Sequence, residues 1–202
     1  MRMTFPIGRT LLVIGGCVVL GVGVALLLSA DLGSDGYSTL VNGVAQALDV
    51  SFLTANLAIG AVFLVLAALR GVYPGPGTLV QVVVVGLTVS VVLAAVETPG
   101  SLVGQVLLLG AAFPVLALGI AAYLGSQLGA GPTEAAALAW DPPLPFRWGY
   151  SIVQGGGALV GWSLGATVGA GTIAVIVLLG PAAGLAGRLL RLDLRQGVLE
   201  SR

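Results

Sequence analysis

Histidine and lysine are both missing from this 202-residue sequence, cysteine occurs once, and charged residues make up only 8% of it. Without histidine, the usual proton shuttle near neutral pH and the commonest metal ligand are both absent. The single cysteine, Cys17, allows no intrachain disulfide and no thiolate metal cluster, so no metal or other cofactor is expected. No basic run or basic–aromatic patch occurs, and neither a dinucleotide glycine fingerprint nor a phosphate loop is present. Nucleic acid is therefore not an expected partner. No nucleophile–base pair stands out either, so catalytic residues are not assigned and an enzyme is not expected.

What is present is apolar. Hydrophobic residues account for 57% of the chain and the mean hydropathy is +1.09. A soluble domain carries roughly a quarter charged residues, so this one lacks the means to cover a water-facing surface. Uncharged runs occur at 10–30, 52–69, 78–96, 101–128 and 148–187. About 20 residues cross the hydrocarbon core once, and the last run is long enough for two crossings parted near Gly165 to Gly171. The expected fold is all-α: a polytopic helical membrane protein with about six transmembrane helices near 10–30, 52–69, 78–96, 104–127, 148–164 and 172–189, plus two short helices. The chain reads as one integral membrane domain over 1–202, partnered by the lipid bilayer.

Arg2 and Arg9 ahead of the first run resemble a signal peptide, but Leu28-Ser29-Ala30 is a poor cleavage site. IGGC, ending at Cys17, is a loose match to a lipoprotein box, and the apolar run continues well past it. The first run is expected to remain as a span. All eight basic residues are arginines. Arg2, Arg9, Arg70, Arg147, Arg188, Arg191, Arg195 and Arg202 fall on one side of a six-span arrangement, whereas Asp31, Asp35, Asp49 and Glu97 fall on the other. By the positive-inside rule both termini are expected in the cytoplasm, with a tail at 191–202.

One pattern is written twice. GVYPGPGT at 71–78 returns as GATVGAGT at 165–172, so that Gly71, Gly75 and Gly77 correspond to Gly165, Gly169 and Gly171. Upstream, Gly23 matches Gly119, Ala25 matches Ala121, and Leu32-Gly33 matches Leu128-Gly129. Two repeats are expected, about 10–96 and 104–190. Each has an odd number of crossings, so the second enters the membrane upside down, a common plan of secondary transporters. The glycines are expected to be structural, letting the spans on either side of each turn pack closely. The plainer alternative is that glycine-rich membrane helices resemble one another.

The short segments follow the first span of each repeat. Ser34 or Asp35 caps a helix from about Tyr37 to Leu48, and Pro132 starts one over 132–140. Twelve residues make about 18 Å of helix against a core of about 30 Å, too short to cross alone. Three readings stay open: re-entrant half-helices, helices lying on the membrane surface, or full spans fused with their flanks. In the re-entrant reading the helix N-termini converge, and Asp31, Asp35, Asn42, Gln46, Gln127, Thr133 and Glu134 line an ion or substrate path. Otherwise the acids are ordinary aqueous helix caps. Tyr123 and Gln127, one turn apart, either face a polar path or make interhelical hydrogen bonds, while Trp148 and Tyr150 beside Arg147 read as an interfacial aromatic belt.

LGSDGYSTL after the first span, GVYPGPGT, LGAGPTEAA and GATVGAGT together make the chain resemble the YczE/YitT-type group of bacterial integral membrane proteins. The likeness runs from about residue 10 to 188 and is closer to the short YczE-like members than to YitT proteins, which carry an additional soluble domain. It implies a bacterial cytoplasmic membrane and carries over no substrate or catalytic residue. The functional expectation is a small secondary transporter or channel for an unknown small solute or ion, with its site between two inverted three-span repeats. The alternative is a non-transporting accessory protein of a transport, export or biosynthesis complex. A homodimer or a membrane partner protein is compatible with either.

Overall fold

The computed structural model describes residues 7–140, 143–144 and 146–192, the side chains of Phe146 and Arg147 excepted. Among the described residues there are eight helices and no strands: α1 (Ile7–Ser29), α2 (Gly36–Leu48), α3 (Phe52–Ala68), α4 (Pro76–Leu93), α5 (Leu102–Gly125), α6 (Pro132–Leu138), α7 (Phe146–Ser163) and α8 (Ala170–Leu189). Four of them, α1, α4, α5 and α8, are long and apolar enough to cross a membrane. The 17-residue α3 is apolar and slightly shorter. This is a helical membrane protein.

Local chemistry sets the helix starts. The Asp35 carboxylate accepts from the Ser38 N–H at 3.0 Å to cap α2, and the Ser51 hydroxyl accepts from the Thr54 N–H at 3.1 Å to cap α3. Pro76 and Pro132 sit in the first turns of α4 and α6, where a missing N–H has no consequence. Pro114 lies inside α5, which continues through it.

α1 and α5 form the centre and run antiparallel. A methyl group added at Gly23 would meet Leu116, one at Gly119 would meet Leu20, and one at Gly16 would meet the Ala122–Tyr123 backbone. α4 flanks α1, and α8 flanks α5. Other contacts recur in the same reciprocal way: α2 with α3 and α6 with α7, then α2 with α7 and α6 with α3. The correspondence stops at α3 and α4, whose packing has no equal between α7 and α8.

The glycine turns act across the halves rather than between the helices they join. The Gly77 N–H donates to Leu128 O at 2.9 Å, and the Gly171 N–H donates to Leu32 O at 2.7 Å. Gly33 and Gly129 adopt φ of +99° and +143°, and an added methyl at either would strike the threonine hydroxyl of the opposite turn, Thr172 or Thr78. Only glycine meets both demands. Thr78 Oγ1 donates to Ala130 O at 2.6 Å and accepts from the Gly75 N–H at 3.2 Å, in a buried setting. Thr78→Val is expected to lower unfolding stability by about 1–3 kcal/mol, because two backbone groups lose their partner. Thr172, with a single longer bond of 3.4 Å from Gly169 N, should respond less in the same detergent melt.

The two ends of the bundle differ in charge. Ser29 Oγ donates to Val96 O, so α1 and α4 finish together, and Asp31, Asp49 and Glu97 lie at that end. Gly125 abuts Leu192, placing the start of α1 and the ends of α5 and α8 at the other end, with Arg9, Arg70, Arg188 and Arg191.

Candidate functional site

α2 begins halfway along α7 rather than at its tip. A methyl at Gly36 would strike the Gln154 backbone, one at Gly157 the Gly36 carbonyl, one at Gly43 the Gly161 backbone, and one at Gly161 the Thr39 carbonyl. The two helices therefore run parallel with their backbones nearly touching. This close approach brings the start of α2 onto α7, where the Tyr37 N–H donates to Gln154 Oε1 at 3.0 Å.

A polar network spreads from that point. Gln154 Nε2 donates to Tyr150 Oη at 2.8 Å, and Tyr37 Oη donates to Asn56 Oδ1 at 2.9 Å. Asn56, 2% exposed, passes the chain on by donating from Nδ2 to Val82 O at 2.7 Å. Four helices, α7, α2, α3 and α4, are thus joined by side chains through an otherwise apolar interior.

The start of α6 approaches the same region. Thr133 Oγ1 donates to Glu134 Oε2 at 2.8 Å. A methyl built on Gly131 would lie 2.6 Å from Glu134 Oε2, 3.1 Å from Gln81 Nε2 and 3.1 Å from Tyr123 Oη, so these three polar atoms share one small space. Tyr123 is 2% exposed and its hydroxyl is buried without a hydrogen-bond partner; the Gly131 N–H lies toward it without closing a bond of good geometry. Asp35 and Glu134 lie within each other's electrostatic reach, and both act on Tyr37 and Tyr150. Among the described residues no arginine pairs with either acid. Arg70 is engaged at the far end of α6, where its Nε donates to Ala139 O at 3.3 Å and its guanidinium lies 4.6 Å over the Trp140 ring.

Six of the seven residues expected from sequence fall into two groups. Asp35, Thr133 and Glu134 come together in this cluster. Asp31, Asn42 and Gln46 gather instead at the α7–α8 turn: Thr167 Oγ1 donates to Asp31 Oδ1, Asn42 shares a crevice with Asp31 and Ala166, and Gln46 Oε1 reaches toward Gly165. Gln127 is exposed at the start of the loop after α5, at the position matching Asp31, and both take left-handed φ, 55° and 53°. Tyr150, read from sequence as part of an interfacial belt with Trp148, belongs to the partly buried polar network; Trp148 is 55% exposed. Tyr37, Asn56 and Gln154 were not anticipated. Their sequence signals are faint: one asparagine in an apolar run, and a Tyr-x-x-x-Gln spacing that puts Tyr150 and Gln154 on one helix face.

An apolar cleft of about 210 Å³ lies on the other side of α6, lined by Phe63, Trp140, Ile152 and Val153 among others, and excludes the polar cluster. Among the described residues no group of three or more acidic, cysteine or histidine side chains is placed to hold a metal ion.

No curated protein and no solved structure shows significant similarity to the chain. Residues 7–188, nearly all of the helical body described above, match a family of unknown function, DUF6198, and the chain belongs to that family.

Proposed function

We propose that this protein is a small secondary transporter of a bacterial cytoplasmic membrane, built from two inverted repeats of three spans each, with its termini in the cytoplasm. In this reading α1, α3, α4, α5, α7 and α8 cross the bilayer, while α2 and α6 are re-entrant, their first turns buried near the midplane. The observation that carries it is the convergence of Asp35 and Glu134, with Tyr37, Tyr123, Tyr150 and Gln154, between halves that contact one another reciprocally. A carboxylate within lipid costs about 2.5–3.5 kcal/mol or more, so two of them in one place call for a function. Midplane sites formed where half-helices of inverted repeats meet are the common design of such transporters. The resemblance to YczE-like proteins adds the bacterial setting and no substrate.

The test is solute uptake into vesicles reconstituted with the full chain under an imposed ion or proton gradient. Uptake present in the wild type and abolished by Asp35→Asn and by Glu134→Gln supports the reading. Uptake unaffected by both substitutions removes it. A second reading, a non-transporting partner of another membrane protein, is favoured by the apolar cleft beside Trp140. It predicts a stable complex that Ile152→Arg disrupts and the two acid variants leave intact.

A further inference from the structure

We infer that Glu134 is a proton-binding residue, with Tyr123 as its hydrogen-bond partner and Asp35 as the neighbouring acid, so that the ion handled at this site is the proton. The inference deepens the transport reading and rests on it for its use, while the proton site itself is a separate claim.

The donors around the two acids are neutral. Glu134 accepts from the Thr133 hydroxyl and its own backbone N–H, and Asp35 accepts from the Ser38 hydroxyl and N–H and from nearby backbone groups. Two partly buried carboxylates in each other's field and without a counter-charge among the described residues are unfavourable together, and a single bound proton relieves both the repulsion and the desolvation. The second observation is independent of the acids. The Tyr123 hydroxyl is aimed into the space it shares with Glu134 Oε2 and is buried without a partner. A phenol can donate to a carboxylate or accept from a carboxylic acid, so it serves Glu134 in both protonation states.

A metal cation fits poorly by comparison. Hard cations take about six or more oxygens, but the Tyr37 hydroxyl and Asn56 amide are spent on each other, as are the Tyr150 hydroxyl and Gln154 amide. A proton needs only two oxygens. The transfer is simple: the Glu134 carboxylate takes a proton from hydronium, leaving water, and returns it by the reverse step.

The groups that face Glu134 come from every neighbouring element. α2 contributes Asp35 and Tyr37, α5 contributes Tyr123, and α7 contributes Tyr150. α4 contributes the uncharged Gln81, while the buried Cys17 thiol of α1 lies behind Tyr123. Arg70, in the turn after α3, is engaged with Ala139 and Trp140 instead of Glu134, and the Arg147 side chain of α7 is outside the described residues.

The deciding measurement is infrared difference spectroscopy of the full chain in lipid vesicles across a pH titration. The other described acids, Asp31, Asp49 and Glu97, are exposed, whereas Glu134 shares an enclosed space with Tyr123. The wild type should therefore show a protonated-carboxyl stretch at neutral pH that vanishes in alkali. Glu134→Gln should delete this band, Asp35→Asn should retain it, and Tyr123→Phe should shift its frequency with little change in the thermal melt. Absence of the band in the wild type, its persistence in Glu134→Gln, or an unshifted band in Tyr123→Phe overturns the proposal. If Glu134→Gln does not fold, the wild-type and Tyr123→Phe spectra still decide. The band is blind to transport, so a proton site without solute movement refutes only the transport reading, and proton-free transport refutes only this one.

Discussion

Gly161→Leu is expected to detach α2 from α7 and to produce the largest stability loss of any single substitution considered for this protein. A side chain at Gly161 runs into the Thr39 carbonyl and the Leu40 N–H, which are helix backbone and have no rotamer by which to yield. Overpacking a well-filled site usually costs about 1–3 kcal/mol, and contact with rigid backbone belongs at or above the top of that range. Neighbouring Gly155 supplies the control, because an added methyl there meets nothing within 4 Å. Gly155→Leu should change the melting temperature in detergent by little, whereas Gly161→Leu should lower it sharply. The loss should reach the polar cluster as well. Tyr37 is held by Gln154 across this same interface, so displacing α2 breaks the α7–α2 link and carries Asp35 away from Glu134. Equal melting temperatures for the two variants would show that the α2–α7 contact contributes nothing to the folded state.

The second large effect is all-or-none: Ser51→Cys and Tyr73→Cys should be labelled from opposite faces of the membrane. Both positions are exposed, and α3 is the segment between them. Its 17 residues make about 25 Å of helix, close to the hydrocarbon thickness of about 30 Å. α3 and α4 run antiparallel, with Leu53 N–H bonded to Ser90 Oγ at one end and Asn56 bonded to Val82 O further in, so residue 51 lies toward the acidic end of the bundle. Residue 73 lies at the arginine end, which the positive-inside rule assigns to the cytoplasm. A membrane-impermeant maleimide should mark Ser51→Cys in intact cells and reach Tyr73→Cys only after permeabilisation. The native Cys17 is fully buried and adds little background. Labelling of Ser51→Cys only after permeabilisation would rule out the six-span arrangement.

The parts of the site that could be read in advance were those carrying a local signature. Asp35 precedes a helix and behaves as a cap; Glu134 follows a glycine–proline start; the duplicated glycine pattern marks turns that adopt positive φ at Gly71 and Gly165. The rest had no such mark. Asn56 is one polar residue in a helix whose hydrophobicity is nearly uniform, so periodicity offers no face to assign it to. Gly157 and Gly161, spaced one turn apart, form a small-residue packing motif that is visible in the sequence but does not name its partner. The structure supplies it as α2, again through glycines.

By itself the sequence determined what is local: an apolar helical chain, where its helices begin, and which stretches are too short to cross lipid. Caps, prolines and hydrophobic length act on neighbouring residues, so they can be read along the chain. Only the tertiary structure decided that the start of α2 rests against the middle of α7 and that Asp35, Glu134 and three tyrosines meet there. That meeting depends on backbones approaching through glycines far apart in the chain, and a residue without a side chain leaves no pattern that says what will lie against it.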